Sequence, residues 1–365
     1  MKIHVFDSFS RAFKHTAGIL FKPFRLSKWL KLGFISLFIC GGGFSFNFNI
    51  PVNWNQDKDK LYYNPAGSCD DMHWGTIKTQ VANILNDPDK LAVLIGLAVI
   101  GILVILALTL LFIWLKSVMN FVFLDNIIKN CAFIKEPFHR LKSKGGSLFL
   151  WLLGFGSIVL FFVFILASVI ILNIHFYSQS HNSQNMLWIL LYSIILLFVM
   201  LFMAIIGIIT MDFILPVMYA EDIKILAAWK KFMSRTKGNI LNFVIYLFLK
   251  LIISICQGII SIFALLICFI VLGIPVLLIV LFSGLLAVAF KLTWNAFTIF
   301  LTVFFGGIAF AVFVYLMYVL LMPIEVYRRI FAMDVLGQIE EKWNLLKVSY
   351  PDYAPKPKPE PEPEN

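Results

Sequence analysis

Long apolar runs, separated by short polar connections, make up most of this chain. A transmembrane helix needs about 20 mostly apolar residues. Five runs reach that length, at residues 91–115, 148–174, 187–218, 240–272 and 296–322. The pattern predicts an all-α fold, a polytopic helical membrane bundle.

Two weaker apolar stretches decide how often the chain crosses the membrane. Residues 30–48 carry Lys31 near their start and the glycine triplet 41–43 past their middle, so we expect a break in this span. Residues 275–290 form a stretch of about 16 residues, which is short for a span and suits a re-entrant hairpin. If residues 275–290 form a re-entrant hairpin, the chain has six transmembrane helices. If they cross the membrane, it has seven. We favour six.

The connections differ in charge, and the difference orients the chain. Residues 1–31 hold seven basic residues against one acid, residues 116–147 six against two, and residues 219–239 five against two. Residues 47–90 hold four basic and six acidic residues. Because cytoplasmic connections carry the excess of Lys and Arg, we expect a cytoplasmic N-terminus in a cytoplasmic (inner) membrane. With six spans the basic segment 328–347 also lies inside.

Composition divides the chain into three regions. Residues 1–29 form a basic amphipathic segment, and residues 30–345 form the membrane domain, with an external acidic loop at 50–89. Residues 346–365 form a tail in which Pro alternates with charge. From Pro351 onward it has no core-forming residues, so we expect the tail to be disordered.

A degenerate internal repeat relates residues 124–149 to residues 215–240, at an offset of 91. Each copy leaves one span, runs through an amphipathic segment with a basic end, and enters the next span. At a helical period such segments place aromatic residues on one face and Lys or Arg on the other, as in helices that lie among lipid headgroups. We expect amphipathic cytoplasmic elbow helices here. The alternative is a chance similarity between two basic connectors.

Basic residues of the elbows are candidate contacts for anionic lipid headgroups, which attract Lys and Arg near a membrane surface. They are Arg25, Lys28, Lys31, Arg140, Lys142, Lys144, Lys230, Lys231, Arg235 and Lys237. The alternative is that they only orient the chain. The positive charge of the chain lies in separate blocks between apolar runs rather than on one face, so we expect anionic lipids as partners and no nucleic acid.

Several segments are similar to known membrane families. One elbow is similar to the repeated pattern of the membrane domain associated with glycerophosphodiester phosphodiesterases, and it reads LAAWKKFMSRTKGNILNF. Three further segments resemble a related family of uncharacterised prokaryotic membrane proteins: FKPFRLSKWLKLGFISLFICGGGFSFNFN, FVFLDNIIKN and TMDFILPVMY. The resemblance covers residues 6–336. It implies a non-catalytic membrane domain, because the phosphodiesterase activity belongs to a separate soluble domain.

Ionisable residues inside the apolar runs form the candidate polar site. Asp212 and Lys250 each lie near the cytoplasmic end of a run, at a depth of roughly 10–15 Å for a rise of 1.5 Å per residue. Such charges are costly in a bilayer and indicate function by default; the alternative is a structural Asp212 and a Lys250 that snorkels to the surface. Lys291 and Asn295 interrupt the last apolar block, either as interfacial anchors or as a polar lining beside the hairpin.

No familiar catalytic or metal-binding motif occurs in the sequence. The nucleotide-binding, zinc-protease and nucleophile-elbow motifs are absent. Cys69, Asp70, Asp71 and His73 combine metal ligands at no familiar spacing. We therefore expect no enzyme, no metal and no cofactor.

These observations favour an integral membrane protein that organises lipids or partner proteins at the cytoplasmic membrane. A transporter or permease that uses Asp212, Lys250 and Lys291 is the alternative, and a membrane-embedded lipid-processing enzyme is the weakest hypothesis. A water-filled cavity at Asp212 and Lys250 would favour transport, whereas a dry, packed interior would favour an organising role.

Overall fold

The computed structural model describes residues 4–41, 87–180, 183–236, 238, 240–278, 280–281 and 296–347. These residues form helices and turns, with no β-strand among them. The chain divides into two compact units, residues 1–42 with 113–365 and residues 43–112. The prediction of an all-α protein is confirmed.

The described helices are numbered in chain order. They are α1 Val5–Phe21, α2 Leu26–Gly41, α3 Pro88–Ile128, α4 Lys135–Ser180, α5 Ser183–Ile209, α6 Leu215–Glu221, α7 Ile225–Thr236, α8 Ile240–Cys268 and α9 Ala296–Gly337. A π turn, Thr210–Ile214, joins α5 to α6, and a second π turn, Phe269–Gly273, continues α8. A 3-10 turn, Glu341–Trp343, follows α9.

Within the described ranges, five helical stretches are long and apolar enough to cross a membrane. They are Leu91–Ile128, Lys135–Asn173, Leu190–Glu221, Leu241–Leu278 and Val303–Gly337, and they correspond to the five apolar runs of the sequence. Each has 32 to 39 residues, or about 50–60 Å, whereas the hydrocarbon core of a bilayer is about 30 Å thick. Each helix is therefore longer than one crossing requires.

The two weaker stretches are described only in part. α2 has 16 residues and ends at Gly41, so the rest of the predicted span 30–48 lies outside the described residues. Residues 282–295 also lie outside them, and this range includes most of the predicted hairpin. The count of six crossings stays a prediction.

One end of each long helix contributes to a buried cluster, and much of the remainder is exposed or half-buried. The buried parts are the end of α3, the start of α4, the end of α5 with α6, the start of α8 and the end of α9. Together with α1, α2 and α7 they form one cluster, which we call the packed core. Elsewhere large apolar side chains are exposed, such as Leu97, Phe198 and Phe304. Water-soluble surfaces rarely show apolar patches of this extent, whereas a lipid-facing surface requires them.

Each described π turn is followed by a proline. At the end of Thr210–Ile214 the next backbone N–H donates to the first carbonyl of the turn, five residues back. Pro216 comes next and has no N–H, so the Met211 carbonyl, five residues before it, has no donor within the helix. Phe269–Gly273 precedes Pro275 in the same way. Such π turns are frequent at functional sites.

The two copies of the predicted repeat differ in backbone structure. In the second copy α7 is a separate helix, and Gly238 follows it with φ of 98°, a conformation that suits glycine. In the first copy the amphipathic segment is the beginning of α4, which continues through Gly145 and Gly146 without a break. A side chain at Gly145 would overlap Val118 of α3, because an added Cβ would lie 2.6 Å from its Cγ2.

Candidate functional site in the packed core

Asp212 lies in the first π turn and forms an ion pair with Lys250 of α8. The hydroxyl of Tyr246, one helical turn before Lys250, donates to the same carboxylate oxygen at 2.7 Å. Asp212 and Lys250 are each 6% exposed and Tyr246 is 1% exposed. The structure therefore brings together two of the predicted site residues and closes them off from solvent.

Arg329 of α9 connects this pair to two further helices. Its guanidinium donates to the Met211 carbonyl and to the side-chain oxygen of Asn120 on α3. The Met211 carbonyl is the one that Pro216 leaves without a helical donor. A planar guanidinium has five donors in a fixed fork, so one buried side chain serves acceptors on two helices.

A second polar cluster lies between α8 and α9. Gln257 donates to the Glu325 carboxylate at 3.1 Å, and Arg328 donates to Glu325 at 2.9 Å and to the Gln257 side-chain oxygen at 3.0 Å. Glu325 is buried. Because the carboxylate accepts from both neighbours, its charge is compensated within the cluster, as a buried charge requires.

A third cluster surrounds Asp125 at the end of α3. The Tyr219 hydroxyl and the Arg140 guanidinium both donate to one carboxylate oxygen at 2.5 Å, and the Lys129 ammonium lies 3.1 Å from it. Asp125 is 1% exposed. The cluster connects the two repeat copies, because Asp125 and Arg140 belong to the first and Tyr219 to the second.

α1 lies against the end of α9 with its small side chains inward. Its buried residues include Ser8, Ala12 and Thr16, and small residues permit close helix packing. Phe6 and Phe13 point outward and are 68% and 69% exposed. This arrangement reverses the usual one, in which aromatic residues fill the core.

Half of the predicted headgroup residues have partners within the chain. Lys28 donates to Asn130 and the Ile19 carbonyl, Arg140 pairs with Asp125, Lys144 with Asp222, Lys231 with Glu221, and Arg235 with Glu340. Burial lowers the pKa of the Lys28 ammonium. The hydrogen bond from Lys144 holds the pKa of the Asp222 carboxyl below its ordinary value.

Four other predicted headgroup residues are exposed, namely Arg25, Lys31, Lys142 and Lys230. Lys237, Lys291 and Asn295 lie outside the described residues, as do nearly all of the acidic loop and the tail. In the part of the chain that the structure describes, no three His, Cys, Asp or Glu side chains are arranged to hold a metal ion.

Sequence reasoning missed Tyr246, Arg329 and Asn120. Arg329 belongs to a basic segment that resembles a cytoplasmic anchor, yet it is buried. Pro216 is the signal that points to it, because a proline near the end of an apolar run leaves a backbone carbonyl that needs a donor from elsewhere.

Comparison with known proteins assigns a family but no activity. The chain matches a family of unknown function, DUF7544, over residues 3–346, and it belongs to that family. No curated protein and no solved structure matches it. No glycerophosphodiester phosphodiesterase is found by these comparisons, so that resemblance stays a prediction.

Proposed function

We propose that this chain is a non-enzymatic integral protein of a prokaryotic cytoplasmic membrane that organises anionic lipids in the cytoplasmic leaflet. The observation that carries the proposal is the exposure of Phe6 and Phe13 on α1, together with the exposure of Arg25 and Lys31 in the segments that follow it along the chain. Exposed aromatic and basic side chains on neighbouring segments suit a lipid interface, where the rings meet acyl chains and the cations meet phosphates.

Contacts between the chain ends support an even number of crossings. The His4 backbone N–H donates to the Gln338 side chain at 2.8 Å, and Arg11 pairs with Asp334 at 2.7 Å. The start of α1 and the end of α9 therefore lie on one side of the membrane. Five long helices alone would place them on opposite sides, and the proposed six-span arrangement adds the crossing that brings them to one side. Residues 30–48 supply it in the six-span arrangement.

Two further contacts support the placement of the C-terminal segment on the same side of the membrane as the basic connections. Trp343 donates to Glu221 at 3.1 Å, and Arg235 lies 3.4 Å from the Glu340 carboxylate. Because α7 and its flanking residues belong to the basic connection 219–239, the segment after α9 shares its side. By the charge rule that side is the cytoplasm, and residues 275–290 then do not cross.

The closed ion pair favours an organising role over transport. A water-filled cavity at this pair would favour transport, whereas Asp212, Lys250 and Tyr246 are all buried. Their neighbours satisfy them within the fold, as in a structural network. The predicted similarity to the non-catalytic membrane domain of phosphodiesterases agrees with this role.

Lipid preference in reconstituted vesicles tests the proposal. Spin-labelled phosphatidylglycerol and phosphatidylcholine report the lipid selectivity of the protein surface. We expect a preference for phosphatidylglycerol that weakens as salt rises, because the attraction is screened. Replacing Arg25, Lys31, Lys142 and Lys230 by Gln should abolish it, while a matched variant that exchanges Arg and Lys at these positions should retain it. Equal selectivity of the Gln variant and the native protein would contradict the proposal.

A further inference from the structure

A cavity of about 500 Å³ lies between α2 and the segment that leads into α4. Lys31 lines it from α2, and Lys135, Glu136 and His139 line it from the first turns of α4. Phe133 and Ile134 supply apolar walls. The cavity thus combines cationic side chains from two elements with an apolar surface.

The two lysines differ from other cations in the same part of the fold. Lys28 and Arg140 are bonded to Asn130 and Asp125 and so hold the fold together. Lys31 and Lys135 are exposed and have no hydrogen bond or ion pair with the rest of the described chain. Their ammonium groups are therefore available to an anion from outside.

The lining also limits the kind of anion. Two lysines and one glutamate leave a net positive lining that matches a singly charged group better than a doubly charged one. Phe133 is 59% exposed and forms the apolar surface beside the cations. A small inorganic ion gains nothing from that surface, whereas an amphiphile buries its apolar part there.

We propose that this cavity binds the phosphodiester headgroup of an anionic phospholipid, with the phosphate at Lys31 and Lys135 and the start of the acyl chains against Phe133. The inference rests on the proposed function, which places this side of the protein at the cytoplasmic leaflet. It adds one defined site to a general attraction for anionic lipid.

Photochemical cross-linking of the full-length chain tests the site. The probe is a photoreactive phosphatidylglycerol in phosphatidylcholine vesicles, and mass spectrometry measures the cross-linked peptide that contains Phe133. The test variant is Lys31→Gln with Lys135→Gln. The control is Lys224→Gln with Lys342→Gln, which removes the same charge from exposed lysines that neither line the cavity nor belong to the predicted headgroup contacts.

We expect the cavity variant to lose cross-linking at this peptide by about 25-fold, since two cations are removed and each cation near a membrane surface contributes a factor of roughly five. The control should stay within about twofold of the native protein, and Lys31→Arg with Lys135→Arg should retain cross-linking, which excludes misfolding as the cause. An equal loss in the cavity variant and the control would overturn the site but leave the general lipid preference intact. An absence of any preference for phosphatidylglycerol over phosphatidylcholine would overturn both.

Two further arms identify the occupant. Inorganic phosphate that competes as well as the lipid would show a soluble anion site and overturn the lipid assignment. If deletion of residues 351–365 raises cross-linking severalfold, the tail occupies the cavity in the full-length chain. That result would also overturn the lipid assignment. Unchanged cross-linking in both arms supports the proposal.

Discussion

Lys250 of α8 forms an ion pair with Asp212 in the π turn that joins α5 to α6, and both side chains are 6% exposed. The ion pair thereby joins two helices inside the packed core, where Tyr246 and Arg329 are the polar neighbours of Asp212. In such surroundings each charge is tolerated only because the other is present.

A double-mutant cycle measures this dependence. Asp212→Asn or Lys250→Met alone leaves an unpaired charge and should destabilise the protein by about 3–5 kcal/mol. The double variant should cost clearly less than the sum, because it leaves no unpaired charge. Unfolding in detergent, followed by circular dichroism, provides the four free energies. Additive costs would show that the two residues are not coupled.

Arg329 should not be replaceable by lysine. Arg329→Lys keeps the charge but replaces the planar fork, whose two terminal nitrogens donate separately to the Met211 carbonyl and to Asn120, by a single ammonium nitrogen, so we expect a loss of about 1.5–3 kcal/mol. Arg25→Lys is the matched control, since Arg25 is exposed, and it should change stability by less than about 0.5 kcal/mol. The thermal midpoints of the two variants check this. Equal midpoints would refute the role of the guanidinium fork.

Adjacent glycines in α4 should respond in opposite ways to alanine. At Gly145 an added Cβ would lie 2.6 Å from the Val118 Cγ2 and 2.8 Å from its Cα, so Gly145→Ala should cost about 1–3 kcal/mol. At Gly146 no atom lies within 4 Å of the added Cβ, and Gly146→Ala should stabilise the helix by about 0.5–1 kcal/mol. Denaturation of both variants measures the difference. A similar effect at both positions would contradict the α3–α4 packing.

Cys131 should react slowly with alkylating reagents at neutral pH. Burial and the nearby Asp125 carboxylate raise the pKa of its thiol. The thiolate is the reactive form, so the alkylation rate should reach half its maximum at a pH above that of an ordinary thiol, about 8.5. The measurement uses a variant with Cys131 as its single cysteine, and Ser143→Cys in a cysteine-free chain is the exposed control. The same half-maximal pH for both thiols would exclude the effect.

The apolar pattern predicted the five long helices, because length and hydropathy are enough to recognise a span. It also placed Asp212 and Lys250 at similar depth, which made their pairing foreseeable. The partners of that pair were not foreseeable, because Tyr246 and Arg329 approach it through packing between helices distant in sequence. In the sequence Arg329 is one member of the basic segment 328–347, and the local composition of that segment does not indicate that its side chain is buried.

The basic elbows show a second limit of the sequence. A count of lysines and arginines treats Lys28 and Lys31 alike, yet Lys28 is bonded to Asn130 and Lys31 lines a cavity. The two lysines differ because of a tertiary contact: Asn130, the partner of Lys28, lies 102 residues further along the chain. Charge patterning therefore treats all these cations alike, and only the fold separates those with partners within the chain from those that are exposed.

The sidedness of the chain ends tests the central claim most directly. Single cysteines at Asp7, Glu341 and Asp89, all exposed in the structure, can be introduced into a cysteine-free chain and exposed to an impermeant thiol reagent in sealed right-side-out vesicles. The account predicts that Asp89→Cys is labelled at once, whereas Asp7→Cys and Glu341→Cys are labelled only after the vesicles are permeabilised. Labelling of Glu341→Cys from outside would contradict six crossings and a cytoplasmic packed core.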